Sequence, residues 1–180
     1  PVEYAGNRGI ISYHFPQRLF NHLGFAKLNH SICDEAGSLA LKEFFGTSIG
    51  VDPEEIKNSK LIVYWGINPA WTNVHGWRIA KLSSGKIYVV DPLITESAKS
   101  SEVHVRLNVG MDVDLILTML NILDKKGYDI GPAKKYAFDH DPERMEKIIG
   151  VDKKIIEEFV DDLITLKPII VHIGYGFQRN

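Results

Sequence analysis

The sequence predicts an α/β fold built on a mostly parallel β-sheet with helices on both faces. Short apolar runs alternate along the chain with longer amphipathic segments, which is the order typical of parallel sheets. The runs are continuously apolar, as in LIVYW at 61–65. A run of that kind indicates a strand that is buried on both faces.

The strands and helices follow one another regularly from residue 61 onward. Strands are predicted at 61–65, 86–92, 102–107 and 167–173. Helices are predicted from about Trp71 to Leu82, from Asp112 to about Lys126, within a small insertion at 131–150, and at 153–165. This alternation of strand and helix predicts a Rossmann-like layer.

The chain is predicted to have two parts. Residues 1–50 read as a small helical and loop segment, with one helix near Pro16 to Leu23 and another beginning near Cys33. Residues 51–180 form the Rossmann-like domain. It opens with Asp52-Pro53-Glu54-Glu55, a sequence that predicts the start of a short helix because aspartate caps and proline fits the first turn.

Composition excludes several classes of protein. The 21 basic and 23 acidic residues are interspersed, which argues against a nucleic-acid partner. The apolar runs have the length of strands, so no membrane insertion is expected. A single cysteine excludes an internal disulfide framework and a four-cysteine cluster. We expect an internal piece of a longer protein, since the chain begins at Pro1; its compartment, cytoplasmic or exported, depends on sequence outside this piece.

Every predicted strand ends in residues suited to ligand binding. The first strand runs into Gly66-Ile67-Asn68-Pro69, the second into Asp91-Pro92, the third into residues 108–112, and the last into Gly174-Tyr175-Gly176. In open parallel sheets, ligands bind outside the carboxyl ends of the strands. Glycines let a backbone approach a ligand, and the amides at a following helix start suit a phosphate. This edge is therefore the candidate site.

Asp91 favours a nucleotide at that edge. It follows Gly66 at roughly the spacing at which an acid on the second strand binds ribose hydroxyls in dinucleotide folds. The first turn lacks the GxGxxG fingerprint, so a nicotinamide cofactor is disfavoured. The alternative is purely structural: Asp91-Pro92 makes a turn and the glycines end their elements.

Cys33 is the candidate for chemistry in the first part of the chain. It stands just before small residues that can open a helix, where the helix dipole favours a thiolate that ligates a metal or acts as a nucleophile. The alternative is an inert, buried small side chain. The histidines show no HxxxH or HExxH spacing, so a zinc site is not indicated.

An ordered series of segments resembles the molybdopterin oxidoreductases of the dimethyl sulfoxide reductase family over essentially the whole chain. The segments are YAGNRG, LNHSICDEAGS, LIVYWGINPAWTNVH, IYVVDPLITESAKSSEVHVRLNVGMDVDLIL and IIVHIGYGFQR. The most specific parts are WGINPA, VVDPLITESA and RLNVGMD.

The resemblance implies a role for individual residues. Cys33 takes the place of the catalytic protein ligand to the metal, and Asn7 and Asn29 approach the pterin. The residues that line the guanine dinucleotide or its guanosine part are Trp65, Gly66, Asn68, Pro69, Ala70, Thr72, Asp91, Pro92, Thr95, Gly110 and Asp112. Tyr175 and Arg179 contact the cofactor from the last strand.

For the parent protein, the resemblance implies a molybdenum or tungsten bis(molybdopterin guanine dinucleotide) cofactor and two-electron redox or oxygen-atom transfer. It leaves open an iron–sulfur cluster in a region before this piece and electron-transfer subunits as partners. The isolated piece is expected to be inactive. Two alternatives stand beside it: the central Rossmann-like domain of a thiamine diphosphate enzyme, and a non-catalytic nucleotide-binding module. The substrate is not indicated.

Overall fold

A computed structural model describes residue 11, residues 15–26, residue 28 and residues 35–177. The chain divides into two compact units, Pro1–Ile49 and Gly50–Asn180. Within the first unit, helix α1 spans Phe15–His22 and helix α2 spans Glu35–Phe45. Both fall close to the helices predicted for this part of the sequence. Cys33 itself lies outside the described residues.

The second unit contains a four-stranded sheet whose strands are all parallel. Strand β1 is Leu61–Trp65, β2 is Lys86–Val90, β3 is Val103–Val105 and β4 is Ile169–Ile173. Their order across the sheet is β3-β2-β1-β4, so β1 and β2 are central. The predicted parallel sheet is confirmed.

Helices connect the strands and cover the sheet. They are α3 (Pro69–Thr72), α4 (Val74–Leu82), α5 (Glu96–Lys99), α6 (Asp112–Lys125), α7 (Lys134–Ala137), α8 (Pro142–Ile149) and α9 (Lys153–Thr165). Short 3₁₀ helices span Pro53–Asn58 and Gly131–Ala133. The predicted helical insertion corresponds to the segment from Gly131 to Ile149, and α9 begins and ends at the predicted residues.

Two apolar clusters hold the unit together, one on each face of the sheet. Side chains alternate along a strand, so Leu61, Val63 and Trp65 of β1 pack with α6, α8 and α9. Ile62 and Tyr64 point the other way and pack with α4, α5 and the first 3₁₀ helix. The expectation of helices on both faces is confirmed.

Local interactions change several predicted boundaries. The helix predicted from about Trp71 to Leu82 is two helices, because Asn73 leaves the helical conformation and its side chain accepts a hydrogen bond from the Gly76 amide. The segment after Asp52 is 3₁₀ rather than α, although Asp52 does cap it. The third strand is shorter than predicted, and α5 was not predicted. Among the described residues, no helix combines the length and apolar character needed to cross a membrane.

Candidate functional site at the carboxyl edge of the sheet

The loops that follow the four strands lie along one edge, because all the strands run in the same direction. We call this the carboxyl edge; its loops are residues 66–73, 91–95, 106–112 and 174–177. Trp65 of β1 is level with Val90 of β2 and Ile173 of β4. The sheet thus brings Gly66, Asp91 and Gly110 to the same side of the molecule, as the sequence predicts.

The first and last loops are in direct backbone contact. The Gly66 amide donates to the Val90 carbonyl at 2.9 Å, and the Gly66 carbonyl accepts from the Gly176 amide at 3.1 Å. A Cβ on Gly66 would lie 2.5 Å from the Phe177 nitrogen, and one on Gly174 would lie 2.4 Å from the Gly66 oxygen. These glycines therefore allow two loops to meet, rather than leaving space for a ligand between them.

A buried serine joins the first loop to α5, the helix that follows the second loop. The Ser97 hydroxyl donates to the Asn68 side-chain oxygen at 2.6 Å and accepts from the Ala70 amide at 3.0 Å. Asn68 also accepts from the Ser97 amide at 3.3 Å. Ser97 has no exposed surface, and Pro69 is buried next to this contact. Asn68 thus orders the edge through its contact with Ser97. The sequence did not predict Ser97 as a site residue, although Ser97 lies in the VVDPLITESA segment.

Asp91 is a half-buried carboxylate at the middle of the edge. Its Oδ1 accepts from the Leu93 amide at 2.8 Å, which forms a tight turn that includes Pro92. Within the described part of the chain, its Oδ2 makes no protein hydrogen bond. Burial raises the pKa of Asp91, the Leu93 amide and His104 lower it, and repulsion from Asp112 raises it. Asp91 therefore offers one open acceptor in a partly desolvated position.

Trp65 and Asp112 meet beneath the edge. The Trp65 indole nitrogen donates to the Asp112 carboxylate at 2.6 Å, and both residues are buried. The Trp65 ring also contacts the rings of Phe159 and Phe177. The structure thus places both predicted residues where they fix the start of α6 against the end of β1.

The third loop is supported by the helical insertion. The Asn108 amide donates to the Ile149 carbonyl at 2.6 Å, and its side chain donates to the Ile148 carbonyl at 3.0 Å. A Cβ on Gly150 would lie 2.8 Å from the Asn108 side-chain oxygen. Gly110 is different, since a Cβ there would meet nothing within 4 Å. Its backbone is therefore accessible from the edge.

Side chains already use several of the amides that were expected to suit a phosphate. Asn73 caps α4 through the Gly76 amide, and Thr95 caps α5 through the Ala98 amide at 3.1 Å. The Thr72 hydroxyl donates to the Asn68 carbonyl. Helix α6 has no side-chain cap at Met111, but Asp112 and Asp114 lie in its first turn. Amides at the helix starts are therefore a weak source of phosphate binding here.

Exposed apolar side chains surround the edge. Trp71 is 76% exposed, Leu93 is 67% exposed and Val109 is 79% exposed, each in a different loop. Tyr175, in the fourth loop, is half exposed. All four loops of the carboxyl edge thus present polar and apolar groups together, which is typical of ligand sites.

Four predicted residues, Asn7, Asn29, Cys33 and Arg179, lie outside the described residues. In the part of the chain that the structure describes, no group of three or more histidine, cysteine, aspartate or glutamate side chains is placed to hold a metal ion. The roles given to these four residues stay predictions.

The parallel sheet and the loops of its carboxyl edge define a Rossmann-like α/β domain. Comparison with known proteins indicates the class of protein to which such a domain is similar. No protein-family model matches the chain. The protein named "Probable oxidoreductase YoaE" of Bacillus subtilis is 29% identical over 195 residues, covering 100% of this chain and 29% of that protein. The "Probable dimethyl sulfoxide reductase chain YnfF" of Escherichia coli is 26% identical, covering 95% of this chain and 26% of that protein.

A solved structure supports the same fold. Acetylene hydratase from Pelobacter acetylenicus superposes with a TM-score of 0.59 over 69% of this chain and 20% of its own, at 19% identity. The sequence relatives are named as a probable oxidoreductase and a probable dimethyl sulfoxide reductase chain, and this similarity confirms the resemblance seen in the motifs. The chain spans less than a third of the length of either sequence relative.

Proposed function

We propose that this chain is part of a molybdenum or tungsten bis(molybdopterin guanine dinucleotide) oxidoreductase, and that its carboxyl edge binds the guanosine diphosphate portion of the cofactor. The observation that carries this proposal is the open Oδ2 of the half-buried residue Asp91, at the edge where the loops of four parallel strands lie. The similarity to named oxidoreductases supports it. The similarity also favours a molybdenum or tungsten oxidoreductase over the central domain of a thiamine diphosphate enzyme.

Guanine matches Asp91 chemically. Its N1–H and exocyclic amino group are neighbouring donors, whereas adenine carries an acceptor at N1. An ionised carboxylate only accepts hydrogen bonds, so Asp91 is suited to the guanine edge and not to the adenine edge. The accessible backbone at Gly110 and the exposed side chains of Leu93 and Val109 provide a surface for the flat base and its ribose.

In the parent enzyme, the cofactor would supply the redox chemistry and the protein would hold and orient the cofactor. When bound, the metal and its dithiolenes supply the two-electron redox chemistry. Asp91 orients the nucleotide, Asn68 and Ser97 hold the first loop against α5, and Trp65 with Asp112 fixes the start of α6. On the strength of the resemblance, we assign the metal-ligand role to Cys33 and pterin contacts to Asn7 and Asn29. Arg179 would contact the cofactor beyond β4.

Further subunits are part of the proposal. YnfF is named as a chain of a dimethyl sulfoxide reductase. We propose that the parent protein likewise exchanges electrons with partner subunits, and that an iron–sulfur cluster in another region carries them.

Nucleotide titration tests the site on the chain itself. We expect calorimetry to show GDP binding at least about tenfold more tightly than ADP, since a hydrogen bond to a charged group contributes on the order of 1.5–3 kcal/mol. The substitution Asp91→Asn should remove most of that preference. Because burial raises the pKa of Asp91, GDP affinity should begin to fall at a higher pH than for an ordinary aspartate as the solution is acidified.

Asp129→Asn is the matched control. Asp129 also accepts from the amide two residues ahead, at 2.8 Å, but it lies in the exposed segment that follows α6. The Asp129→Asn substitution should leave the affinities for GDP and for ADP unchanged. Equal binding of GDP and ADP by the unsubstituted chain would contradict the proposed site.

Metal analysis tests the proposal for the intact parent protein. We expect molybdenum or tungsten in stoichiometric amount, and loss of turnover in a Cys33→Ala variant that still folds. Absence of both metals from the active protein would refute the assignment, and full activity of Cys33→Ala would return Cys33 to a packing role.

A further inference from the structure

We propose that Arg106 binds the diphosphate of the nucleotide at the carboxyl edge, an inference that rests on the proposed function. Arg106 is the first residue after β3. Its neighbours Val105 and Leu107 are buried in the cluster under α6, at 0% and 2% exposure. Arg106 points the other way and is exposed. Its position is thus on the surface of the edge rather than in the core.

A single hydrogen bond holds the Arg106 side chain across two loops of the site. Its Nε donates to the Pro92 carbonyl at 3.3 Å, in the turn that Asp91 opens. The two terminal nitrogens of the guanidinium keep their donors. Within the described ranges, no carboxylate forms an ion pair with Arg106. The charge is therefore directed beside Asp91 and available to a ligand.

The charges of the carboxyl edge require a cation for a diphosphate to bind. The four loops contain two carboxylates, Asp91 and Asp112, and Arg106 is the one lysine or arginine in their sequence. Two phosphates would be repelled by both carboxylates unless a positive charge lay next to them. Arg106 is the residue in these loops that meets this need.

Arginine also supplies the hydrogen bonds that the helix starts do not. The first turns of α4 and α5 are capped by Asn73 and Thr95, and α6 begins with acidic residues. A guanidinium presents parallel N–H groups that bind phosphate oxygens in pairs. The diphosphate would thus lie between the second and third loops, next to the guanosine at Asp91.

Calorimetric titration of the 180-residue chain with guanosine and with GDP separates the base from the phosphates. We expect GDP to bind about tenfold or more tightly than guanosine, as charge-assisted hydrogen bonds to phosphate imply. Arg106→Gln should lower GDP affinity to about that of guanosine and leave guanosine affinity within about twofold, which also shows that the variant is folded. Arg106→Lys should restore part of the loss, because it returns the charge without the paired geometry.

The control is Arg78→Gln, which removes an exposed arginine in the middle of α4 and should change neither affinity. If Arg106→Gln keeps the preference for GDP over guanosine, the inference is wrong and the nucleotide site stands. If the unsubstituted chain binds neither guanosine nor GDP, both the nucleotide site and the role of Arg106 are overturned.

Discussion

The substitution Gly66→Ala should destabilise the second unit by roughly 3–5 kcal/mol, because it combines a strained backbone with a steric clash. Gly66 has a φ of 63°, which an L-residue adopts at a cost. Its Cβ would also lie 2.5 Å from the Phe177 nitrogen and 3.0 Å from the Gly176 carbonyl carbon. Backbone atoms cannot rotate away, so the last loop would have to move. Chemical denaturation followed by circular dichroism measures the loss.

The control substitution Gly127→Ala separates the effect of backbone strain from the effect of the steric clash. Gly127 has a φ of 89° after the end of α6, and a Cβ there would meet nothing within 4 Å. We expect about 1–2 kcal/mol of destabilisation from the backbone strain alone. Similar losses for the two variants would show that the first and last loops are not packed as the structure places them. Gly66→Ala should also weaken GDP binding, whereas Gly127→Ala should not.

Much of the fold could be predicted because its strands and long helices are encoded locally. A continuous apolar run predicted β1 as a buried parallel strand, and the amphipathic pattern of α9 predicted both of its ends. The similar run in β4 also predicted a strand, but β4 lies at the edge of the sheet and is partly exposed. Parallel direction then determines that the strand ends share an edge, so the location of the candidate site follows from the pattern of strands. The ordered motifs added the family resemblance that composition alone does not contain.

The connections within the site depend on residues far apart in sequence, which no local pattern reports. Helix α5 has four residues and little intrinsic stability; it forms where Thr95 caps it and Ser97 bonds to Asn68, 29 positions away. Trp65 and Asp112 are separated by 47 positions. The sequence therefore named most residues of the edge but not what each one contacts. Four further residues, Asn7, Asn29, Cys33 and Arg179, lie outside the described residues, so the roles given to them stay predictions.

The Trp65–Asp112 hydrogen bond suggests a second large effect, on the connection between β1 and α6. Asp112→Leu should lower the free energy of unfolding by about 2–4 kcal/mol, since it leaves the buried Trp65 N–H without its charged acceptor and removes an acid from the first turn of α6. Asp112→Asn keeps an acceptor oxygen and should cost only about 1 kcal/mol. Thermal and denaturant unfolding of both variants measures the difference.

A double-mutant cycle with Trp65→Phe assigns the effect to this contact. Phenylalanine keeps most of the packing against Phe159 and Phe177 but has no donor. We expect a coupling energy of about 1–3 kcal/mol between the Trp65→Phe and Asp112→Leu substitutions. Additive losses, within about 0.5 kcal/mol, would mean that Asp112 stabilises α6 without Trp65. Asp112→Asn also removes the repulsion that raises the pKa of Asp91, so GDP binding by that variant should persist to lower pH than in the unsubstituted chain.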